Sequence, residues 1–530
     1  MGEDLYELPK GWVWTGLKIV CEKIQDGSHF SPQVQYPESG EGRYLYITAK
    51  NIKANGLDLS DVTYVDYTFH KSIYERCNPE KGDVLLTKDG VKTGVVTLNT
   101  LDEEFSLLSS VALFKTNKII LYSNYLRYFL SSPVGLKMIT GQMTGTAIKR
   151  IVLDKIRQSY ICLPPLPEQY RIVAKIEELF TLLDAGVELL KKVKAKLKRY
   201  RQAVLKAAVE GNLTKEWREA NQGKLEPASV LLERILQQRR EKWEAEQLAK
   251  MKAQGKTPKD DSWKLKYKEA IAPNTSDLPE LPDGWCWATI EQLLIKIQYG
   301  SSSKTNDDSS GVAVLRMGNI LAGKIVINEL KYLPKHHNEF PELLLEYGDL
   351  LFNRTNSFEL VGKTAVYQGI PNPSSCASYL IRVRLNQNVQ PYFISHYINS
   401  VFGRQWIKSV VSQQVGQANV NGTKLQALQV PFPPKEEQLI IKEEVERLFS
   451  VTDQLEKTIN ANLKRAEKLR QTILKQAFEG KLVPQDPNDE PAEKLLERIK
   501  AEKAKQVTTK TKKKTKSQPQ SPAQLALPLE

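Results

Sequence analysis

The sequence has little cysteine and no pattern that would hold a metal ion. Its five cysteines lie far apart, no two of them form a C-x-x-C pair, and the five histidines add no metal-binding spacing. Scattered, unpaired cysteines are typical of a reducing compartment, and they disfavour both a disulfide framework and a zinc site. We therefore expect a cytoplasmic protein without a bound metal.

Long apolar runs are also missing. No stretch reaches the length of a membrane-spanning helix, and the N-terminus Met1-Gly2-Glu3-Asp4 has neither a basic start nor an apolar core. These absences predict that the chain has no signal peptide and does not interact with a membrane.

The sequence lacks the catalytic signatures that can be tested. Gly362-Lys363-Thr364 resembles the end of a phosphate-binding loop, but Ser357 stands where the first glycine should be. There is no Asn-Pro-Pro-aromatic tetrad of the kind that methylates adenine, no G-x-S-x-G and no H-E-x-x-H. The Gly-Asp pairs at 82–83 and 348–349 could supply nuclease carboxylates, although a turn before a buried strand is the more ordinary interpretation. We predict a protein that binds and does not catalyse.

Positive charge, in contrast, is abundant. Lysine and arginine exceed aspartate and glutamate, 76 to 62, which gives a net charge of +14. A basic surface suits a polyanion such as nucleic acid, although charge also serves solubility. Part of the excess lies at 510–516, inside a Gln-, Pro-, Ser- and Thr-rich end that composition predicts to be disordered.

The two halves of the chain repeat the same motifs in the same order. Leu-Pro-x-Gly-Trp-x-Trp begins at Leu8 and again at Leu281, and a proline-rich junction runs into Glu-Gln at 164–169 and at 433–438. The motif Leu-Lys-x-Ala-x-Glu-Gly closes each copy at 205–211 and 474–480. The distance between equivalent motifs changes little along the chain, which indicates that one whole unit has been duplicated.

Each copy divides into a globular part and a long helix. Residues 1–163 and 278–430 are dense in short β-prone runs between Gly, Asn and Asp turns, with helical stretches among them, which predicts two α+β domains. We name these domains head 1 and head 2. In 164–213 and 431–482, apolar residues recur at steps of three and four, which is typical of an amphipathic helix roughly 60 Å long.

A helix of this length cannot bury its apolar stripe on a small head alone. Two such helices in one chain most simply pair with each other, and we predict an antiparallel coiled coil that separates two similar heads in a pseudo-two-fold repeat. Pairing of each helix with another protein is the alternative. Segment 214–277 is predicted to be a charged helical linker, and 483–530 to be a short helix followed by the disordered basic tail.

The duplicated arrangement resembles the specificity subunit of type I restriction–modification enzymes. The resemblance covers nearly the whole chain except the tail, and it is carried by the repeated motifs together with 348–357, 360–363 and 416–421 in head 2. It implies that each head is a target recognition domain that reads one half of a bipartite sequence in double-stranded DNA.

The resemblance also implies partners and cofactors. The paired helices would form a spacer that docks two methyltransferase (modification) subunits, and restriction/translocase subunits would join them. No cofactor is expected on this chain, since S-adenosylmethionine, ATP and Mg²⁺ would belong to the partner subunits. The competing interpretation is a non-catalytic coiled-coil scaffold that bridges two partner proteins.

Candidate DNA contacts are polar and basic side chains near the ends of predicted strands. Arg, Lys, Asn and Gln read base edges, while Lys, Arg, Ser and Thr also bind phosphates. In head 1 the candidates are Lys50, Asn51, Lys88, Lys92, Thr93, Thr146, Lys149 and Arg150. In head 2 they are Arg316, Asn319, Arg354, Asn356, Ser357, Lys363, Gln417, Asn419, Asn421 and Lys424. Each of them could instead be a polar turn residue. The tryptophans at 12, 14, 285 and 287 are interpreted as shared core packing.

Overall fold

The computed structural model describes residues 5–90, 93–141, 150–258, 260–414 and 416–501. These residues form two compact units. The first unit contains the described residues up to Leu190 and those from Asn460 onward, and the second spans Lys191–Ile459. Head 1 lies in the first unit and head 2 in the second.

Head 1 is built on a four-stranded antiparallel sheet. Its strands lie in the order Cys21–Asp26, Val111–Thr116, Val84–Thr87 and Val96–Leu98. Because the second strand runs antiparallel to both of its neighbours, Cys21–Asp26 and Val84–Thr87 end at the same edge of the sheet. We name this edge, with the loops that leave it, the loop edge of head 1.

Both faces of this sheet are covered, which explains why its strands are almost continuously apolar. Val84 and Leu86 pack into one core together with Phe114, while Leu85 and Leu113 pack into a second core on the other face. Alternate side chains of a strand point to opposite faces, so a strand buried on both sides needs an apolar residue at every position.

The remaining elements of head 1 surround this sheet. A three-stranded sheet has the order Thr63–Asp66, Arg43–Ile47 and Phe105–Leu107, and two further pairs are Ile52–Lys53 with Gly56–Leu57 and Val13–Gly16 with Tyr160–Leu163. The helices of head 1 are Leu17–Val20, Tyr67–Tyr74, Ser123–Ser131, Pro133–Thr140 and Leu153–Gln158.

Head 2 repeats the topology of head 1. Its four-stranded sheet has the order Leu294–Tyr299, Leu380–Leu385, Leu350–Asn353 and Thr364–Val366, and its three-stranded sheet has the order Lys331–Leu333, Val312–Leu315 and Ser374–Cys376. The two further pairs are Ile320–Leu321 with Lys324–Ile325 and Cys286–Thr289 with Gln429–Phe432. The helices are Ile290–Leu293, Met317–Asn319 (3₁₀), Pro391–Asn399, Val401–Val410 and Gly422–Gln426. The loop edge of head 2 is the edge where Leu294–Tyr299 and Leu350–Asn353 end.

Head 2 also contains a small sheet at its loop edge. Its three strands lie in the order Thr355–Asn356, Gln417–Asn419 and Ser412–Gln414. At the matching place, the described residues of head 1 form an antiparallel bridge between Asp89 and Arg150. The repeated architecture is therefore an α+β fold in two copies, as the sequence predicts, and the copies differ at their loop edges.

The two long helices are Leu166–Val209 and Lys435–Phe478, with 44 residues each. In the first unit, Ile172 and Ile176 share the core of head 1 with Ile473 and Phe478. In the second unit, residues at the end of the first helix and the start of the second share the core of head 2, among them Val204, Leu205, Ile441 and Val445. The start of each helix therefore packs with the end of the other, which confirms the predicted antiparallel coiled coil.

Each unit ties its two helix segments together with the same cluster. In the second unit, Arg201 lies 2.5 Å from a carboxylate oxygen of Asp453, and its guanidinium carbon is 5.4 Å from the centre of the Phe449 ring. In the first unit, Arg470 pairs with Asp184, and its guanidinium carbon is 4.1 Å from the centre of the Phe180 ring. The cluster thus occurs once per copy of the repeat.

The tryptophans of the repeated motif join each head to the start of the following long helix. The indole N–H of Trp12 donates to Glu168 at 3.0 Å, and that of Trp285 donates to Glu437 at 2.8 Å. Both indoles are buried. The predicted core packing is therefore confirmed for Trp12 and Trp285, whereas Trp14 and Trp287 are only partly buried.

The linker contains the helices Lys215–Ala220 and Ala228–Ala253 and the 3₁₀ segment Ser262–Lys266. The Ala228 N–H donates to the Gly284 carbonyl at 2.8 Å, and in the first unit the Ala492 N–H donates to the Gly11 carbonyl at 3.0 Å. A helical segment at 492–501 therefore docks on head 1 as the linker helix docks on head 2. Within the described ranges, no helix has the length and apolarity that a membrane span requires.

Candidate nucleic-acid interface

Lys88 lies at the loop edge of head 1, but its charge is used inside the protein. Its ammonium is 3.0 Å from the carboxylate of Asp26, and both side chains are at least 97% buried. A buried lysine of this kind requires such a partner, because an isolated buried charge is strongly unfavourable. The structure therefore leaves Lys88 with no exposed ammonium for a DNA contact.

The neighbouring candidates of head 1 form the bridge at its loop edge. Arg150 is exposed, and its Nε lies 3.3 Å from Asp89. The Thr93 hydroxyl donates to the Gly90 carbonyl at 2.6 Å. Lys92, Thr146 and Lys149 lie outside the described residues, as does the basic tail from 502 onward.

Asn51 and Asn319 are equivalent buried residues that organise a loop. The Asn51 amide oxygen accepts from the Thr48 N–H at 3.0 Å, and its NH₂ donates to the carbonyls of Asp58 and Asp61. Asn319 accepts from the Arg316 N–H at 2.9 Å and donates to the carbonyls of Val326 and Asn328. Because these amides are saturated, a base-reading role would require breaking hydrogen bonds inside the loop.

The residues next to these two asparagines differ between the heads. Lys50 is exposed and pairs with Asp61 at 3.0 Å. Arg316 donates from its guanidinium to the Glu329 carbonyl, while its buried Nε has no hydrogen-bond partner among the described residues. Lys50 therefore retains an accessible cation, whereas Arg316 is engaged with the loop that it precedes.

Arg354 is the best-defined candidate at the loop edge of head 2. Its guanidinium carbon lies 4.7 Å from the ring centre of Tyr299, the last residue of strand Leu294–Tyr299. The Tyr299 hydroxyl in turn accepts from the Gly422 N–H at 2.9 Å. Stacking on an aromatic ring restrains a guanidinium without using up its donor N–H groups. The Arg354 Nε is buried and has no hydrogen-bond partner among the described residues, so the terminal nitrogens are the donors that this arrangement positions at the loop edge.

The small sheet of head 2 gathers further candidates around Arg354. Thr355 pairs with Asn419 and Asn356 with Ala418, and the Asn419 amide donates to the Thr355 hydroxyl at 2.7 Å. The Asn356 side chain accepts from the Ser357 N–H at 2.8 Å. The structure therefore brings together Arg354, Asn356, Ser357 and Asn419.

Gln417, Asn421 and Lys424 extend this group. Gln417 and Asn421 are exposed, and Asn421 caps helix Gly422–Gln426 by accepting from the Lys424 N–H at 2.9 Å. The Lys424 ammonium lies 2.8 Å from the Ser412 hydroxyl. Lys363 is separate from the group, because it lines a cavity of about 580 Å³ with Lys198 and Lys324 beside the long helices.

Lys88 and Arg354 occupy equivalent backbone positions. Lys88 donates its N–H to the Ser110 carbonyl and accepts from the Ile151 N–H, both at 2.9 Å. Arg354 donates to the Tyr379 carbonyl and accepts from the Val420 N–H, also at 2.9 Å. The same backbone site therefore carries a buried ion pair in head 1 and a stacked arginine in head 2.

Sequence reasoning missed the exposed aromatic and cationic side chains at the loop edges. In head 1 these are Phe30, which is 81% exposed, and the half-exposed His29 and Arg76; in head 2 they are Tyr299, Tyr379 and Phe358. An aromatic residue near the end of a strand normally predicts a buried side chain, so the local sequence does not reveal that it is exposed. Aromatic residues beside cations favour nucleic-acid binding.

The Gly-Asp carboxylates serve turns, which supports the turn interpretation. Asp83 accepts from the Glu80 N–H at 2.8 Å and pairs with Lys115 at 2.9 Å, and burial raises the pKa of its carboxyl. Asp349 accepts from the Glu346 N–H at 2.8 Å and binds Arg384 through both oxygens. Across the part of the chain that the structure describes, no group of three or more His, Cys, Asp or Glu side chains could hold a metal ion.

Known proteins resemble this chain in sequence. The family described as type I restriction modification DNA specificity domain matches residues 9–199 and 282–465. The type I restriction enzyme EcoKI specificity subunit of Escherichia coli strain K12 is 27% identical over 517 residues, covering 94% of this chain and 97% of the relative. The StySPI specificity subunit of Salmonella potsdam is 25% identical over 523 residues, covering 96% and 99%.

Solved structures resemble the fold. A chain from a structure described as the basis of complex assembly and conformational transition of the type I R-M system has a TM-score of 0.61 at 16% identity, covering 90% of this chain and all of that one. The HsdS subunit from Thermoanaerobacter tengcongensis has a TM-score of 0.50 at 17% identity, covering 91% and 100%. At these identities the likeness shows the fold alone.

Proposed function

Because this chain belongs to the family of type I restriction–modification specificity subunits, we propose that it reads a bipartite sequence in double-stranded DNA, one half with each head. Two domains of one topology contact two targets of one kind, and their different loop edges let them prefer different sequences. The paired long helices join the two readers and act as the spacer between the half-sites.

One observation carries this proposal. The two heads share strand order and loop anchors, yet they place different side chains on matching positions of their loop edges. Arg354 in head 2 suits a guanine, since an arginine fork bonds to both acceptors on the major-groove edge of guanine. Gln417, Asn356 and Asn421 add amides that suit adenine, while Lys50, Arg150 and Lys424 suit phosphates.

We assign no catalysis and no cofactor to this chain. The carboxylates of the Gly-Asp pairs are held by turns and by lysine or arginine partners, which supports a binding role. Two methyltransferase subunits would dock on the helical part and bring S-adenosylmethionine, and restriction/translocase subunits would bring ATP and Mg²⁺. The competing function is a scaffold between two partner proteins, which would need no DNA preference.

The test is selection from a random pool of double-stranded DNA. The purified chain, alone and with its methyltransferase subunits, is incubated with the pool, and bound DNA is separated by gel shift and sequenced. We expect the assembly to enrich one sequence with two defined halves and an undefined gap. An assembly that forms but enriches no sequence would favour the scaffold.

A further inference from the structure

We propose that Phe30 at the loop edge of head 1 contacts base pairs of the half-site that head 1 reads. The inference rests on the proposed function and adds an apolar base contact to it. Aromatic side chains contact bases through the thymine methyl group or by insertion between base steps. The occupant of this surface is therefore DNA, with the phenyl ring directed at the bases.

Exposure is the first observation. Phe30 is 81% exposed, the largest exposed fraction of any aromatic residue in the described part of the chain. A single exposed apolar residue is ordinary on a protein surface. Phe30 differs from that ordinary case because the backbone beneath it is held by hydrogen bonds and the half-exposed Arg76 is bound to the same loop.

Two sets of hydrogen bonds hold the segment that presents Phe30. The Ser28 N–H donates to the Leu107 carbonyl at 2.7 Å, and the Ser28 carbonyl accepts from the Ser109 N–H at 2.8 Å. The Ser28 hydroxyl also donates to the Phe30 carbonyl at 2.7 Å and accepts from the Phe30 N–H at 3.1 Å. A ring presented on a fixed backbone loses less conformational freedom when it binds.

The preceding glycine anchors this loop tightly. A Cβ at Gly27 would lie 1.8 Å from the Leu107 carbonyl oxygen, so only glycine allows this approach of the loop to the neighbouring strand. Head 2 has the same anchor, since a Cβ at Gly300 would lie 2.2 Å from the Cys376 carbonyl oxygen. The loop is thus a repeated structural feature whose exposed residue differs between the heads.

The charged groups of this loop favour a polyanionic ligand. The buried Lys88 neutralises Asp26, and Arg76 and His29 lie 3.6 Å and 3.2 Å from the same carboxylate with side chains 44% and 48% exposed. Arg76 also donates to the Gly27 carbonyl at 2.6 Å, which ties it to the loop. The half-exposed guanidinium of Arg76 can bind a phosphate while the ring contacts bases, and the His29 imidazole adds a polar group beside it.

Head 2 supplies an internal comparison. The Ser303 N–H donates to the Ser301 hydroxyl at 3.1 Å, so Ser303 occupies the position of Phe30 in the same turn. Head 2 therefore has a small polar residue where head 1 has a phenyl ring. An aromatic residue at this position of the turn is therefore present in head 1 and not in head 2, and its loss should affect one half-site.

The experiment compares Phe30→Ala and Phe30→Ser with the wild-type chain, all assembled with the methyltransferase subunits. The controls are Ser303→Ala and Tyr347→Ala. Tyr347 is 73% exposed and precedes strand Leu350–Asn353 at the sheet edge opposite the loop edge. Dissociation constants for the selected DNA are measured by fluorescence anisotropy, and sequence preference by selection from a random pool.

We expect the Phe30 variants to bind the selected DNA about 5- to 150-fold more weakly, which corresponds to the loss of one aromatic–base contact of about 1–3 kcal/mol. The Phe30 variants should also relax the sequence preference in one half-site, which is the half that stays unchanged when head 2 is exchanged. The control Tyr347→Ala should change neither the affinity nor the sequence preference. Unchanged affinity and preference would overturn the inference, and so would a Phe30 variant that fails to bind methyltransferase in the absence of DNA. A wild-type assembly that selects no sequence would overturn the proposed function itself.

Discussion

Residues at equivalent backbone positions of the two heads have different side chains and different partners. Lys88 is buried against Asp26, whereas Arg354 lies stacked on Tyr299. Asp26 and Tyr299 are the last residues of matching strands, so the partner has changed together with the cation. A buried ion pair contributes rigidity and no donor for DNA, while stacking on a ring does not use the terminal N–H groups of Arg354.

The Arg354 assignment predicts a graded series of variants. Arg354→Ala should weaken binding of the selected DNA by about 1–3 kcal/mol if the fork bonds to guanine. Tyr299→Ala should weaken it less, because the arginine remains but is no longer held, and Tyr299→Phe should change it least. Equal affinities for all three variants, measured by anisotropy titration, would contradict a base contact by Arg354.

His396 predicts a pH dependence of stability. Burial lowers its pKa to about 4, and its Nε2 has no hydrogen-bond partner among the described residues. As the pH falls, His396 is protonated in the unfolded chain near its ordinary pKa of about 6.5, but in the folded chain only near 4. The stability associated with neutral His396 is therefore present above about pH 6.5 and is lost as the pH falls toward 4. The melting temperature of the wild type relative to His396→Gln should decline over this window, and a constant difference would contradict the assignment.

The joints between heads and helices show that equivalent elements need not be equally strong. Glu437 accepts from Trp285 at 2.8 Å, from the Thr214 hydroxyl at 2.7 Å and from Arg218 at 2.6 Å. Glu168 accepts from Trp12, but its buried Oε1 finds no partner within the described ranges, and burial raises its pKa. The start of the second long helix is therefore anchored by an ion pair that the first lacks.

This difference predicts unequal effects of one substitution. Glu437→Gln should cost about 3 kcal/mol of unfolding free energy, because it leaves the mostly buried Arg218 without its charge partner. Glu168→Gln should be nearly neutral, since it removes a poorly compensated charge. Urea denaturation of the two variants measures the difference, and a larger loss for Glu168→Gln would refute this account of the joints.

The elements were predictable from sequence where the signal is periodic. The apolar stripes locate both long helices because a step of three or four residues is a local property. The burial and hydrogen bonding of Lys88, Asn51 and Asn319 were not predictable from sequence. Their partners are Asp26 and loop carbonyls, which only folding brings close to them. Phe30 was missed because nothing local distinguishes a presented phenylalanine from a buried one.

Each compact unit of the molecule combines one head with the start of the long helix that follows it and with the end of the other. The tryptophan–glutamate joint recurs in both units, so we predict that a head can be exchanged if the incoming domain retains the indole. We therefore propose that DNA recognition is a property of each head, whereas the joint belongs to the long helices.

The most direct measurement of this central claim is a head exchange. Residues 278–430 are replaced by the corresponding head of another specificity subunit, with a tryptophan kept at the position of Trp285, and the assembly with methyltransferase subunits selects from random DNA. One half of the enriched sequence should change while the other half stays as in the wild type. Enriched sequences in which both halves change, or in which neither changes, would contradict the claim that each head reads one half.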